Sequence, residues 1–86
     1  MYIVAYDIAD ARERSRVAKA LADFGERVQK SVWTCEVDSS AYVRMRERLD
    51  RLQITSGVVH IWQARTNPWI TGDLNAMPAK AWAHCL

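Results

Sequence analysis

No stretch of this 86-residue sequence approaches the roughly 20 consecutive apolar residues that a membrane-spanning helix needs. The opening segment, Met1 to Asp7, lacks the basic region of a secretory signal and reads as a strand, so a cytoplasmic protein with no membrane partner is expected. Cysteine is scarce. Cys35 and Cys85 form no CxxC pair and belong to no His/Cys cluster at zinc spacing, which leaves both as ordinary small residues. Histidine is equally sparse, with only His60 and His84, so Ser31 has no evident triad, and no nucleophile-elbow glycines flank it. Internal repeats and low-complexity tracts are also missing.

What is present is one small globular domain, half hydrophobic and about a quarter charged. A chain this short buries only about 60% of the surface its unfolded form exposes, so covering a face by dimerisation helps it. The net charge of +2 is only weakly basic, but ten of the twelve Lys and Arg lie between Arg12 and Arg51, and a dimer doubles any patch they form.

Residues 2–8 are β-rich and apolar up to Asp7, the pattern of a strand buried on both faces. Asp10 followed by Glu13 resembles a capping box. Val17, Leu21 and Phe24 then recur at helical spacing and Gly25 stands at a helix C-terminus, predicting a helix over Ala11 to Phe24. Arg27 to Gln29 is a short strand candidate, Lys30-Ser31 a turn or bulge, and Val32 to Val37 a further strand. Asp38-Ser39-Ser40 supplies N-cap residues for a helix over Ser40 to Leu52, whose inner face is Tyr42, Met45, Leu49 and Leu52. Thr55-Ser56-Gly57 is a turn, and Val58 to Ala64 the last strand. The order β-α-β-β-α-β predicts an α+β, ferredoxin-like domain over residues 1–65: a four-stranded antiparallel sheet with two helices on one face. The other face is then bare, and a second copy of the chain is expected to cover it. Residues 66–86, with Trp69 and Trp82 but no periodicity, read either as an arm docking on a partner or on the other protomer, or as a loose end.

Three pieces in this order resemble one family. Tyr6-Asp7-Ile8 ends the first strand, Arg14, Arg16, Val17, Lys19 and Leu21 lie on the first helix, and Gly25-x-Arg27-Val28-Gln29-x-Ser31-Val32-Trp33 follows. Together they look like the CRISPR-associated protein two family, the small subunit of the spacer-acquisition machinery. The resemblance covers about residues 1–64, with Trp33 where that family carries Phe, and nothing is carried over to residues 66–86. It implies a homodimer lying along duplex DNA beside a CRISPR integrase subunit. Some members are metal-dependent nucleases on RNA or double-stranded DNA. The matching positions are Asp7, Arg14, Arg16, Arg27, Ser31 and Trp33. In that light Asp7 is the candidate catalytic acid and metal ligand. The two Asp7 of a dimer would share one Mg²⁺ or Mn²⁺, and Arg14, Arg16, Arg27, Ser31 and Trp33 would contact nucleic acid.

Each position has a plainer reading. Asp7 is a lone strand-end carboxylate that must be paired, hydrogen-bonded, solvated or metal-bound. Arg14 either neutralises a phosphate or makes an ion pair, with Asp7 as a candidate partner. The basic rows Arg12, Arg16, Lys19 and Arg44, Arg48, Arg51 either track a phosphate backbone or are solvated helix faces laced with ion pairs. His60 reads as a core or interface residue. Tyr6, Trp33, Tyr42 and Trp62 read as core or dimer surface rather than as base-stacking platforms. Three functions are weighed. The first is an architectural duplex-DNA-binding subunit acting with an integrase, and the second a metal-dependent endonuclease, endoribonuclease activity included. The third is an RNA- or protein-interaction module unrelated to CRISPR.

Overall fold

The structure, a computed structural model, describes residues 1–65. The elements come in the expected order: β1 (Tyr2–Ile8), α1 (Ala11–Leu21), β2 (Glu26–Gln29), β3 (Val32–Cys35), α2 (Ser39–Arg51) and β4 (Gly57–Gln63). One four-stranded sheet has the order β2-β3-β1-β4, and every neighbouring pair is antiparallel. Both helices pack on one face of it. Val17, Ala20 and Leu21 of α1 and Met45 and Leu49 of α2 share a core with Val4, Tyr6 and Ile8 of β1 and with Trp33 and Cys35 of β3. This is the ferredoxin-like arrangement read from the sequence. The expected arm, residues 66–86, lies outside the described residues. Among the described residues no helix is long and apolar enough to cross a membrane.

Strand pleating divides the apolar residues of β1 between two sides. Val4, Tyr6 and Ile8 point under the helices and are buried, while Ile3, Ala5 and Asp7 point away. The registers Ile3↔Trp62, Ala5↔His60 and Asp7↔Val58 put alternate residues of β4 on that same outer side, and Ala5↔Val32 adds β3. In the single chain this side is open, with Val58 53% and Trp62 48% exposed. Strand β1 is therefore apolar on both faces, as read, but one chain covers only one of them.

Boundaries differ from expectation where local chemistry overrides periodicity. Helix α1 ends at Leu21, not Phe24, because the chain tightens there: the Phe24 N–H donates to the Leu21 carbonyl at 2.9 Å. Gly25 is required for space rather than for helix termination. A Cβ on it would lie 2.1 Å from the Thr34 carbonyl oxygen and 2.6 Å from Cys35 Sγ. Helix α2 starts at Ser39 because Asp38 is its cap and accepts from Ala41 N–H at 2.8 Å. It closes through Gln53, held at φ 52°, a left-handed position that glycine ordinarily fills. Strand β3 stops at Cys35, two residues short of Val37. At Lys30-Ser31 the sequence allowed a turn or a bulge, and the turn is what forms. A bulge lies upstream, where the register shifts between Arg27 and Gln29. That bulge aims Arg27 toward the helix side, opposite Trp33.

Candidate nucleic-acid interface

The carboxyl end of β1 organises the site, and a buried acid fixes that end. Asp10 caps α1 by accepting from Glu13 N–H at 2.9 Å, but the Glu13 side chain does not return the bond as a capping box would. It crosses to the α2–β4 turn. There Oε2 accepts from the Thr55 N–H and hydroxyl, both at 3.0 Å, and Oε1 accepts from the Ser56 N–H at 2.9 Å and from the Ser56 hydroxyl. Ser56 completes the lock, taking bonds from Asp10 N–H on its hydroxyl and Ala9 N–H on its carbonyl, both at 3.0 Å. Glu13 is only 5% exposed. Its carboxyl is lowered from 4.5 to about 2, chiefly by the Ser56 hydroxyl and then by the Thr55 N–H, with burial acting in the opposite direction. Gly57 follows, and a Cβ there would fall 1.9 Å from the Asp7 carbonyl oxygen. The turn therefore presses directly on the backbone that carries Asp7.

Asp7 is exposed on the open side of the sheet and its carboxylate has no hydrogen-bond or ion-pair partner among the described residues. The pairing with Arg14 weighed from sequence is not formed. Arg14 is half-buried on the helix side, and its Nη1 donates to the carbonyls of Ile8 at 2.8 Å and Ala9 at 2.7 Å. It ties α1 to the end of β1, satisfying carbonyls that the strand leaves free.

The other residues singled out from sequence gather on the helix side. A cleft of about 220 Å³ is lined by Arg14, Ser15, Arg27, Lys30 and Ser31, with Tyr6, Ala11 and Ala18 forming its apolar part. No acid lines it. The β2–β3 turn forms one wall, held by the Ser31 carbonyl accepting from Tyr6 N–H at 3.0 Å and by the Tyr6 hydroxyl donating to the Lys30 carbonyl at 3.2 Å. Trp33 is buried beneath this turn rather than displayed on a surface. Its ring carries the Arg27 guanidinium at 5.0 Å, and its Nε1 has no hydrogen-bond partner among the described residues. Arg16 is exposed on α1 and does not line the cleft.

Asp7 and the basic cleft thus occupy the same end of the molecule but opposite faces of the sheet, a separation that the motif spacing does not reveal. Lys30 and Ser15 were not among the sequence candidates. Lys30 was legible as the basic residue of a turn between Arg27 and Ser31. Ser15 is brought in only by the way α1 lies on the sheet. A larger hollow of about 590 Å³ runs between α2 and β4, lined by Tyr42 but by none of the residues that match the family. On the helices, Arg48 pairs with Asp23 and Arg44 donates to the Ser40 hydroxyl at 3.0 Å, so those members of the basic rows are engaged locally. Burial pushes the Cys35 thiol upward, as suits an unreactive core residue.

Comparison with known proteins agrees with the fold. The family described as CRISPR associated protein Cas2 matches residues 1–69. The CRISPR-associated endoribonuclease Cas2 1 of Chloroflexus aurantiacus is 39% identical over 51 residues, 59% of this chain and 55% of that protein. The CRISPR-associated endonuclease Cas2 2 of Thermus thermophilus is 44% identical over 52 residues, 60% of this chain and 58% of that protein. The chain spans a little over half the length of these curated relatives. Among solved structures, the hypothetical protein TT1823 from Thermus thermophilus superposes with a TM-score of 0.76 at 34% identity, covering 84% of this chain and 89% of that one. Streptococcus pyogenes Cas2 at pH 6.5 gives a TM-score of 0.66 at 28% identity, covering 74% and 84%.

Proposed function

The chain belongs to the CRISPR associated protein Cas2 family, and from that premise we propose that it works as a two-fold dimer that holds duplex DNA by its phosphates, an architectural subunit beside a CRISPR integrase in spacer acquisition. Membership in the family closes the reading as a module unrelated to CRISPR. The observation that carries the proposal is the acid-free cleft of Arg14, Arg27, Lys30, Ser15 and Ser31. Its volume suits a phosphate group. Its cations stand on β2 (Arg27), on the β2–β3 turn (Lys30) and on α1 (Arg14), with the turn and the helix both pinned to β1, so the charge is preorganised. The side chains present guanidinium, ammonium and hydroxyl groups, which bind phosphate oxygens without reading bases. Action on DNA inside the cell goes with the cytoplasmic location expected from the sequence.

Anisotropy with two duplexes of unrelated sequence tests this. Arg27→Ala with Lys30→Ala should weaken both duplexes alike and reduce the slope of log affinity against log salt by about one per phosphate contact removed. Loss confined to one sequence, or an unchanged slope, contradicts it.

Relatives named endonuclease and endoribonuclease favour a second activity at Asp7. Among the described residues no three His, Cys, Asp or Glu side chains come together to hold a metal. The donor type nonetheless suits a hard cation: Mg²⁺ is held by one or two carboxylates completed by waters and phosphate oxygens. The Asp7 carboxylates of the two copies would share one Mg²⁺ or Mn²⁺ ion. Such an ion supplies charge stabilisation at a phosphodiester. Asp7 contributes the ligating oxygens and the apolar residues around it limit water. On this account any cleavage of RNA or duplex DNA needs Asp7 and divalent metal, whereas duplex binding needs neither. Cleavage persisting in purified Asp7→Asn would place it elsewhere.

A further inference from the structure

Tyr6 grips the β2–β3 turn twice. Its N–H donates to the Ser31 carbonyl at 3.0 Å, and its hydroxyl donates to the Lys30 carbonyl at 3.2 Å. The N–H of a strand residue lies in the plane of the sheet, whereas its side chain stands roughly perpendicular to it. The Tyr6 ring is on the helix side, packed in the core. One bond therefore keeps Ser31 level with the sheet, and the other draws Lys30 over the helix side. Both residues thereby line the cleft together with Arg14 and Arg27.

Filling the core does not call for that hydroxyl. Tyr6 is only 3% exposed, and a phenylalanine ring would occupy the same space. The hydroxyl loses water on folding and regains a single bond, to a turn carbonyl, so its net contribution to stability is small. What it decides is where the turn sits. Ser31 shows that the place matters. It is 4% exposed and lines the cleft, and its hydroxyl has no partner among the described residues. A polar group buried to that degree calls for a partner, and the cleft is where one can enter. A turn released from the Tyr6 hydroxyl would carry Lys30 away from that position.

Resting on the reading of this cleft as a phosphate site, we infer that Tyr6 is a positioning residue for nucleic-acid binding. Its hydroxyl holds the Lys30-Ser31 turn so that the Lys30 ammonium meets a phosphate contacted by Arg14 and Arg27. Tyr6 acts through the turn and is not itself a phosphate ligand.

Duplex binding measured by anisotropy tests this, with Tyr6→Phe made both in the wild type and in Arg27→Ala/Lys30→Ala. In the wild type the substitution should weaken binding of unrelated duplexes alike, by about threefold to tenfold, the worth of one hydrogen bond, with unchanged circular dichroism. In Arg27→Ala/Lys30→Ala it should have no further effect, because the charge it aims is gone. Tyr6→4-aminophenylalanine, which restores a donor at the same place, should recover the affinity. Wild-type affinity in Tyr6→Phe, an equal loss in both backgrounds, or an unfolded Tyr6→Phe overturns the assignment and leaves the hydroxyl without a positioning role. The cleft reading then stands as long as Arg27→Ala/Lys30→Ala binds weakly. Full affinity in Arg27→Ala/Lys30→Ala overturns the cleft reading, and the role of Tyr6 with it.

Discussion

On one side of the sheet Val4, Tyr6 and Ile8 lie beneath two helices, and on the other Ile3, Ala5 and Asp7 of the same strand have nothing over them among the described residues. Both sides are largely apolar, yet their polar groups are treated differently. Under the helices the one buried acid, Glu13, accepts four hydrogen bonds, and Arg14 donates to two carbonyls. On the open side Asp7 and His60 stand without partners among the described residues. The helix side is finished within one chain. The open side exposes an apolar stretch of Ile3, Ala5, Val32, Val58 and Trp62 with Asp7, His60, Thr34, Glu26 and Gln29 around it, which is the composition of a surface completed by another molecule.

The widest gap between the sides should appear on truncation. Leu21→Ala, which empties a fully buried position under the helices, should lower unfolding free energy by about 2–5 kcal/mol in chemical denaturation. Val58→Ala on the open side should shift unfolding of the monomer by less than about 0.5 kcal/mol while weakening self-association. Comparable losses from both in the monomer would erase the distinction.

Next in size is the Glu13 lock. Its carboxyl falls from 4.5 in the unfolded chain to about 2 in the folded protein. Its contribution is therefore fully present above pH 4.5 and is lost as pH falls toward about 2. Glu13→Gln should lower the denaturation midpoint at neutral pH and flatten the fall in stability across that acid range. A mutant as acid-sensitive as the wild type would show that the lock is not what titrates there.

Much of this was legible beforehand because it is written in local patterns. The strand-like start, the helical spacing of Val17 and Leu21, and the caps at Asp10 and Asp38 specify the element order, and the order specifies the topology. What was hidden depends on which side of the sheet a residue faces after folding. Asp7 and Arg14 are seven positions apart in the chain, but pleating sends one outward and the helix keeps the other inward. Glu13 looked like a capping residue because its spacing from Asp10 is right, and only the approach of the Thr55-Ser56 turn offers its carboxylate four donors instead. The bulge in β2, which sends Arg27 toward the cleft, leaves no signature in the residues alone.

Two smaller substitutions sharpen the helix side. Gln53 occupies a left-handed backbone position at the end of α2, so Gln53→Gly should raise stability by about 1 kcal/mol, measured as a shift in midpoint at constant slope. Trp33→Phe removes an indole N–H that has no partner among the described residues and also shrinks a buried ring. The opposing terms should leave stability within about 1 kcal/mol of the wild type. A larger loss would mean that the ring's support of Arg27 outweighs its unsatisfied donor.

The claim on which the account rests is that the open side is closed by a second copy. Sedimentation equilibrium at micromolar concentration measures this directly, on the wild type and on Trp62→Glu, which places a charge on that surface, on the edge strand β4, without touching the helix-side core. The account predicts the mass of two chains for the wild type and of one chain for the variant, with matching circular dichroism. A wild type that sediments as a single chain, or a folded Trp62→Glu that remains a dimer, would contradict it.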